Sequence, residues 1–210
     1  MKLQHVAFLV AGLLPDALGL DAPIEGYGVV VPEWEIEVTP GGPIAVLNGT
    51  VEKIHEELLQ LNPNWDEEYI SNSTDTTGGA SKRDSDSHLF SRTDFRGSKY
   101  TCRGRWPECH PNPIRRGIEY LRYVQGRPRN GPGPGNCGRV SCSYNAAIWW
   151  CNDNTSAKTL AGFGSIADGA EYIVDNCMRW HWVKGGYVSA VAGQVFHKTK
   201  WNVIVRKDKC

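Results

Sequence analysis

The sequence predicts an α+β fold: a small disulfide-rich domain in which an antiparallel sheet carries two helices on one face, preceded by a signal peptide and an acidic pro-segment. Three observations lead there. The hydrophobic periodicities in the second half run strand, helix, strands, helix, strands. All seven cysteines follow the dibasic pair Lys82-Arg83 and none precedes it. Net charge changes sign at the same pair, although the 210-residue chain is neutral overall. Leu20 to Arg83 holds 12 Asp/Glu against 3 Lys/Arg, net −9, and Asp84 to Cys210 holds 10 against 19, net +9.

The elements are taken in chain order. Lys2 and His5 precede the apolar run Val6 to Leu14, then Pro15 and the small-residue pattern Ala17-Leu-Gly19. That run is too short for a bilayer, which takes roughly 20 residues, and suits a signal-peptide core, so residues 1–19 are expected to be removed. No other stretch is long enough to span a membrane. The acidic pro-segment is expected over 20–83. Within it Trp34-Glu-Ile-Glu-Val38 alternates as a strand, Pro40-Gly-Gly-Pro43 turns, and Ile44 to Leu47 is a second strand. Thr50 caps a helix with Val51, Ile54, Leu58 and Leu61 on one stripe, ended by Asn62-Pro63. A piece this small cannot bury an adequate core alone, so it is expected to lean on the basic half, towards which its charge steers it. Residues 66–83 read as a flexible linker presenting Lys82 and Arg83 to a kexin-type protease.

Residues 84–210 form the mature, basic, cysteine-rich domain. Ser98 to Arg103 is a short strand. Asn112-Pro113 opens a helix through Ile114, Ile118 and Leu121, with Arg115, Arg116 and Arg122 on its outer side. Arg127 to Gly135, rich in Gly and Pro, is a loop. Gly138–Tyr144 and Ala146–Cys151 are buried strands turning near Asn145, in which Trp149 and Trp150 face opposite sides. A second helix covers about Ser165 to Met178, and strands at Val188–Phe196 and Trp201–Arg206 finish the chain.

Cys102, Cys109, Cys137, Cys142, Cys151, Cys177 and Cys210 read as a disulfide framework rather than a zinc site, because no CxxC or HxxxH pair occurs. The number is odd: at most three bridges form within one chain, and one thiol is left buried or bridges to a second chain. Six cysteines allow 15 connectivities, and the sequence does not choose. No metal and no cofactor are expected. Asn48, Asn72 and Asn154 begin N-glycosylation sequons, the first two in the pro-segment.

The chemistry offered is that of binding. A ribonuclease would draw on His110, Glu108, His181 and arginines, but no local motif demands it; a protease reading fails sooner, because the mature half lacks GxSxG. It does hold six of eight tryptophans. Trp180-His-Trp182 places two indoles on one side if extended, beside a surplus of arginine of which Arg115, Arg116, Arg127 and Arg129 are contact candidates.

The block CGRVSCSYNAAIWWCNDN, the terminal GQVFHKTKWNVIVRKDKC and the leader WEIEVTPGGPIAVLNGTVEKIHEELLQLNP with a dibasic site after it resemble a family of small secreted ascomycete fungal proteins. The two-helix, antiparallel-sheet plan is more distantly similar to fungal killer toxins and necrosis-inducing-factor homologues. The resemblance implies a secreted, extracellular, effector- or toxin-like protein that binds a host or competitor target, whether protein, glycan or membrane, after kexin-type processing. It brings no catalytic residues. The alternatives are a cationic antimicrobial or killer-type protein acting on membranes or channels, and a small secreted ribonuclease.

Overall fold

The computed structural model describes residues 20–69, 92–124 and 126–210. Residues 1–19, expected to be a signal peptide, the pair Lys82-Arg83, Asn72 and His88 lie outside the described residues. The N-terminal segment contains β1 (Gly28–Val30), β2 (Glu33–Glu37), β3 (Ile44–Asn48), α1 (Val51–Leu61) and α2 (Trp65–Tyr69). Then come β4 (Tyr100–Cys102), α3 (Pro111–Tyr123), β5 (Arg129–Asn130), β6 (Asn136–Ser143), β7 (Ala146–Asn152) and β8 (Lys158–Thr159). The chain closes with α4 (Gly164–Cys177), β9 (Arg179–Val183), β10 (Gly186–Ala190), β11 (Gly193–His197) and β12 (Trp201–Lys207).

The apolar runs of β6, β7 and β12 build the middle of a six-stranded sheet ordered β1-β6-β7-β12-β11-β4. The β6–β7 hairpin turns at Tyr144-Asn145, whose φ values of 48° and 58° match the twist a two-residue hairpin loop needs. Every neighbouring pair is antiparallel except β1 with β6, which is parallel. The sheet is therefore mostly antiparallel, with a parallel edge supplied by the N-terminal segment.

Alternation along β7 divides the core. Ile148 and Trp150 face α3 and α4, while Ala147, Trp149 and Cys151 face the other side. Trp149 and Trp150 thus point in opposite directions, and both are buried. The helices lie on one face, as the sequence predicts. They sit close to it because a Cβ on Gly117 would collide with Ser141 Oγ and one on Gly169 with Val203. Arg122 does not decorate the outer side of α3. It clasps α4 through Asp168 and Glu171, each at 2.8 Å.

Residues 20–69 wrap the β6 edge and reach both faces. Leu20, Ile24, Tyr27 and Val29 pack on the Trp149 face, where Trp106 donates its indole N–H to Pro23 carbonyl (2.8 Å). β1 then pairs with β6, and the β2–β3 hairpin and α1 continue over the helical face. Trp34, fully buried, stacks on Phe163 with ring centroids 3.9 Å apart. Val51, Ile54, Leu58 and Trp65 join the same core as Ile118, Leu121 and Val124. The Glu52 carboxylate accepts from Ser141 Oγ and from the Cys142 amide (2.9 Å).

Three disulfides form, Cys102–Cys177, Cys137–Cys151 and Cys142–Cys210, all within the second half. They tie β4 to the end of α4, β6 to β7, and the C-terminus to β6. Several local expectations are corrected. α3 starts at Pro111 and its cap is His110, whose Nδ1 accepts from the Asn112 N–H, not Asn112 itself. Thr50 sits at the N-cap of α1 without a side-chain bond. Val188–Phe196 is two strands, because Val191 leaves the hairpin to bridge Cys109. The Gly/Pro loop contributes β5, paired with β8. Helix α2, with Trp65 buried, extends structure into the stretch expected to be linker.

Trp34→Ala removes a buried stacked indole and is expected to lower the stability of the full chain by about 3–5 kcal/mol in urea unfolding. Ile44→Ala, at a residue 65% exposed, should stay within about 0.5 kcal/mol of the wild type. Equal effects of the two substitutions would show that the N-terminal segment is not part of the cooperative core.

Candidate binding site

β9 and β10 pair only with each other, in register Trp182↔Tyr187 and Trp180↔Ser189. The hairpin turns through Lys184-Gly185, where Gly185 and the following Gly186 have φ of 113° and 148°, conformations that side chains rarely adopt. Because strand side chains alternate, Trp180, Trp182 and Tyr187 share one face. All three are open to solvent, at 64%, 66% and 70% exposure, and Trp182 meets Tyr187 edge to face at 5.4 Å. Val183 and Val188 are exposed on the opposite face, and Lys184 marks the tip.

Among the described residues, the bonds that tie the hairpin to the rest of the protein lie at its base. Arg179 Nε and Nη2 donate to the two Glu108 carboxylate oxygens at 2.8 and 2.6 Å. At the other end Val191 and Cys109 exchange backbone hydrogen bonds of 2.9 Å. Arg179, then His181 and Arg103, hold the Glu108 carboxyl below the usual carboxylate range. Such a carboxylate is a structural anchor and a poor proton acceptor at neutral pH.

The structure separates the other sequence candidates. Arg115, exposed on α3, reaches Met178 Sδ at 3.5 Å, next to the hairpin base. Arg116 lies over the Tyr144 ring, 5.2 Å from its centroid. Arg127 and Arg129 are elsewhere, in an open groove of about 580 Å³ that Glu33 and Glu35 also line. Arginine and tryptophan candidates therefore do not form one patch; Arg115 reaches Met178, two residues before Trp180. Tyr187, Val183 and Val188 were not candidates on sequence grounds. The signal for them was Lys184-Gly-Gly186 between two aromatic runs, a hairpin pattern.

His110 and His197 are tied into local structure, whereas the Nδ1 of His181 on β9 is buried without a hydrogen-bond partner among the described residues. His110 is a helix cap, and His197 bonds Thr199 Oγ1 (2.9 Å) and tilts against Trp201 at 4.8 Å. Burial lowers the His197 pKa. Asn48 is exposed at the end of β3, whereas the Asn154 side-chain amide donates to Asn152 Oδ1, Thr199 O and Lys200 O. A glycan on Asn154 would displace part of that bonding. Among the described residues no group of three or more His, Cys, Asp or Glu could hold a metal ion, and no helix is long and apolar enough to cross a membrane.

The unpaired cysteine is Cys109. It is buried and its thiol donates to the Val191 carbonyl at 3.4 Å. Burial pushes the thiol up to about 12. A bridge to a second chain through it would require opening the contact between hairpin base and α3.

No family model, no curated protein and no solved structure matches this chain.

Cys109 is expected to resist a water-soluble thiol reagent in the native protein and to react at one equivalent per chain after unfolding. Fast native labelling would contradict its position. A second outcome concerns acid. Glu108 has its pKa lowered by folding, so its stabilising effect is present above the usual carboxylate value and is lost as pH falls through the lowered native value. The gap in urea midpoint between wild type and Glu108→Gln should accordingly close on acidification.

Proposed function

We propose that this chain is the precursor of a secreted, disulfide-rich, effector- or toxin-like protein that acts by binding, with the β9–β10 hairpin as its contact surface. One observation carries the reading: three large aromatic rings stand exposed on one face of a hairpin whose two strands pair with each other alone. Leaving such rings in water is unfavourable, and aromatic side chains at that exposure are the typical anchors of interfaces. The three disulfides and the removable-leader pattern support an extracellular setting. The net +9 of residues 84–210 supports an anionic or glycan-bearing target.

A second reading rests on Val183, Val188 and Lys184. A hairpin apolar on both faces, with a lysine at its tip, is also suited to lie in a lipid headgroup layer. Labelled protein titrated onto host or competitor cell-surface fractions and onto anionic vesicles separates the two. Under the first reading Trp182→Ala and Trp180→Ala each weaken cell-surface binding by at least about thirtyfold, since interface hot spots are worth about 2 kcal/mol or more. The vesicles then bind no better than neutral ones. Vesicle binding that fades with salt and is lost in the same variants would favour the membrane reading. Unchanged binding by both tryptophan variants would remove the hairpin from either.

Processing is read out by the intact mass of the secreted protein under denaturing conditions. The expected cysteine-rich species begins at Asp84; a single species beginning near Leu20 would refute the precursor model.

A further inference from the structure

We infer that cutting at Lys82-Arg83 does not release the N-terminal segment: residues 20–69 remain seated on the cysteine-rich domain as a second, noncovalent chain. The inference rests on the precursor reading for the cut itself, and on the interface for the fate of the two pieces.

The cut falls between Tyr69 and Arg92, so it breaks no element among the described residues. No cysteine lies in the segment, and its attachment is wholly noncovalent. The attachment surrounds the sheet. Tyr27 on one face donates to Asp153 Oδ1 (3.0 Å), which also accepts from the fully buried Asn202 (3.0 Å) and so extends an interior polar chain from Gln194. β1 satisfies the β6 edge, with Gly28↔Asn136 to Val30↔Gly138 in register. On the other face Trp34 covers Phe163, and α1 inserts Val51, Ile54 and Leu58 beside Tyr120 and Val124. A cavity of only about 10 Å³ is left there, room for a single water at most.

Departure would have several consequences at once. It would bare the β6 backbone and the Phe163 ring, and it would leave Ser141 Oγ and the Cys142 N–H without the Glu52 carboxylate. A mask meant to leave would be held chiefly by charge. This one is held by packing, which salt does not weaken. The processed protein is thus a two-chain particle, and its target meets the hairpin with the acidic segment still in place.

The test uses the folded chain 20–210, cut by a kexin-type protease, with a parallel sample carrying a sequence-specific protease site in place of Ser81-Lys82-Arg83. The second sample reports docking whether or not the kexin-type enzyme cuts. Both fragments are expected to co-elute at the mass of the uncut chain on native size exclusion and native mass spectrometry, at low salt and at 1 M salt, and to part only in denaturant. Trp34→Ala should raise the dissociation constant of the cut pair by at least about a hundredfold and Glu52→Gln by about tenfold, with Lys53→Ala unchanged. If a variant fails to fold before cutting, the wild-type elution decides alone. Separate elution of the wild-type fragments in native buffer, at either salt, overturns the inference.

Discussion

The constraint on which the rest of the structure depends is the open edge of β6. Alone, residues 92–210 would form a five-stranded sheet ending on a long strand whose outer backbone groups have no partner. The N-terminal segment resolves this by placing three residues of parallel strand on that edge and threading over both faces. The Trp34–Phe163 stack lies on the helical side and the Trp106–Pro23 hydrogen bond on the other. The edge, the two cores and the polar chain at Asp153 are therefore completed by one continuous piece of backbone.

Much of the architecture was legible from local chemistry. Thr-Pro-Gly-Gly-Pro between alternating runs gave the β2–β3 hairpin, and Asn62-Pro63 marked the end of α1. Tyr144-Asn145 between buried runs gave the β6–β7 turn. β1 was not legible: three residues, Gly-Val-Val, carry no period, and their partner lies over a hundred residues away. The Cys137–Cys151 pairing was not legible either, because it depends on an irregularity. From Ser143↔Ala146 the hairpin register would place Cys137 opposite Asn152; the bulge between Arg139 and Ser141 shifts it by one residue and sets Cys137 opposite Cys151. No periodicity argument foresees a one-residue bulge.

The candidate site was half legible. Alternation in Trp180-His-Trp182 correctly put two indoles on one face, but their exposure depends on β9 and β10 having no other strand to join. That arises from Val191, whose bridge to Cys109 takes the chain out of the hairpin and back to the main sheet at β11. Position in sequence gives no hint that Glu108 will grip Arg179, 71 residues on. The arginines scattered for the complementary reason: charge is a property of composition, whereas a patch needs shared orientation.

The opposite charges of the two segments take on a different meaning against these contacts. The ion pairs Lys53–Glu57 and His55–Asp66 of the acidic segment are internal to it. Across the boundary the Glu52 carboxylate meets a hydroxyl and a backbone amide, both neutral donors. Glu33 and Glu35 share an open groove with Arg127 and Arg129, and among the described residues no ion pair between them is formed there. Long-range attraction accordingly acts on the encounter of the two pieces while the chain is folding, when little is yet buried. Once Trp34, Ile54 and Leu58 are covered, the charges add little to what holds the segment. The aromatic hairpin stays outside this arrangement, so its rings face solvent with the acidic segment bound.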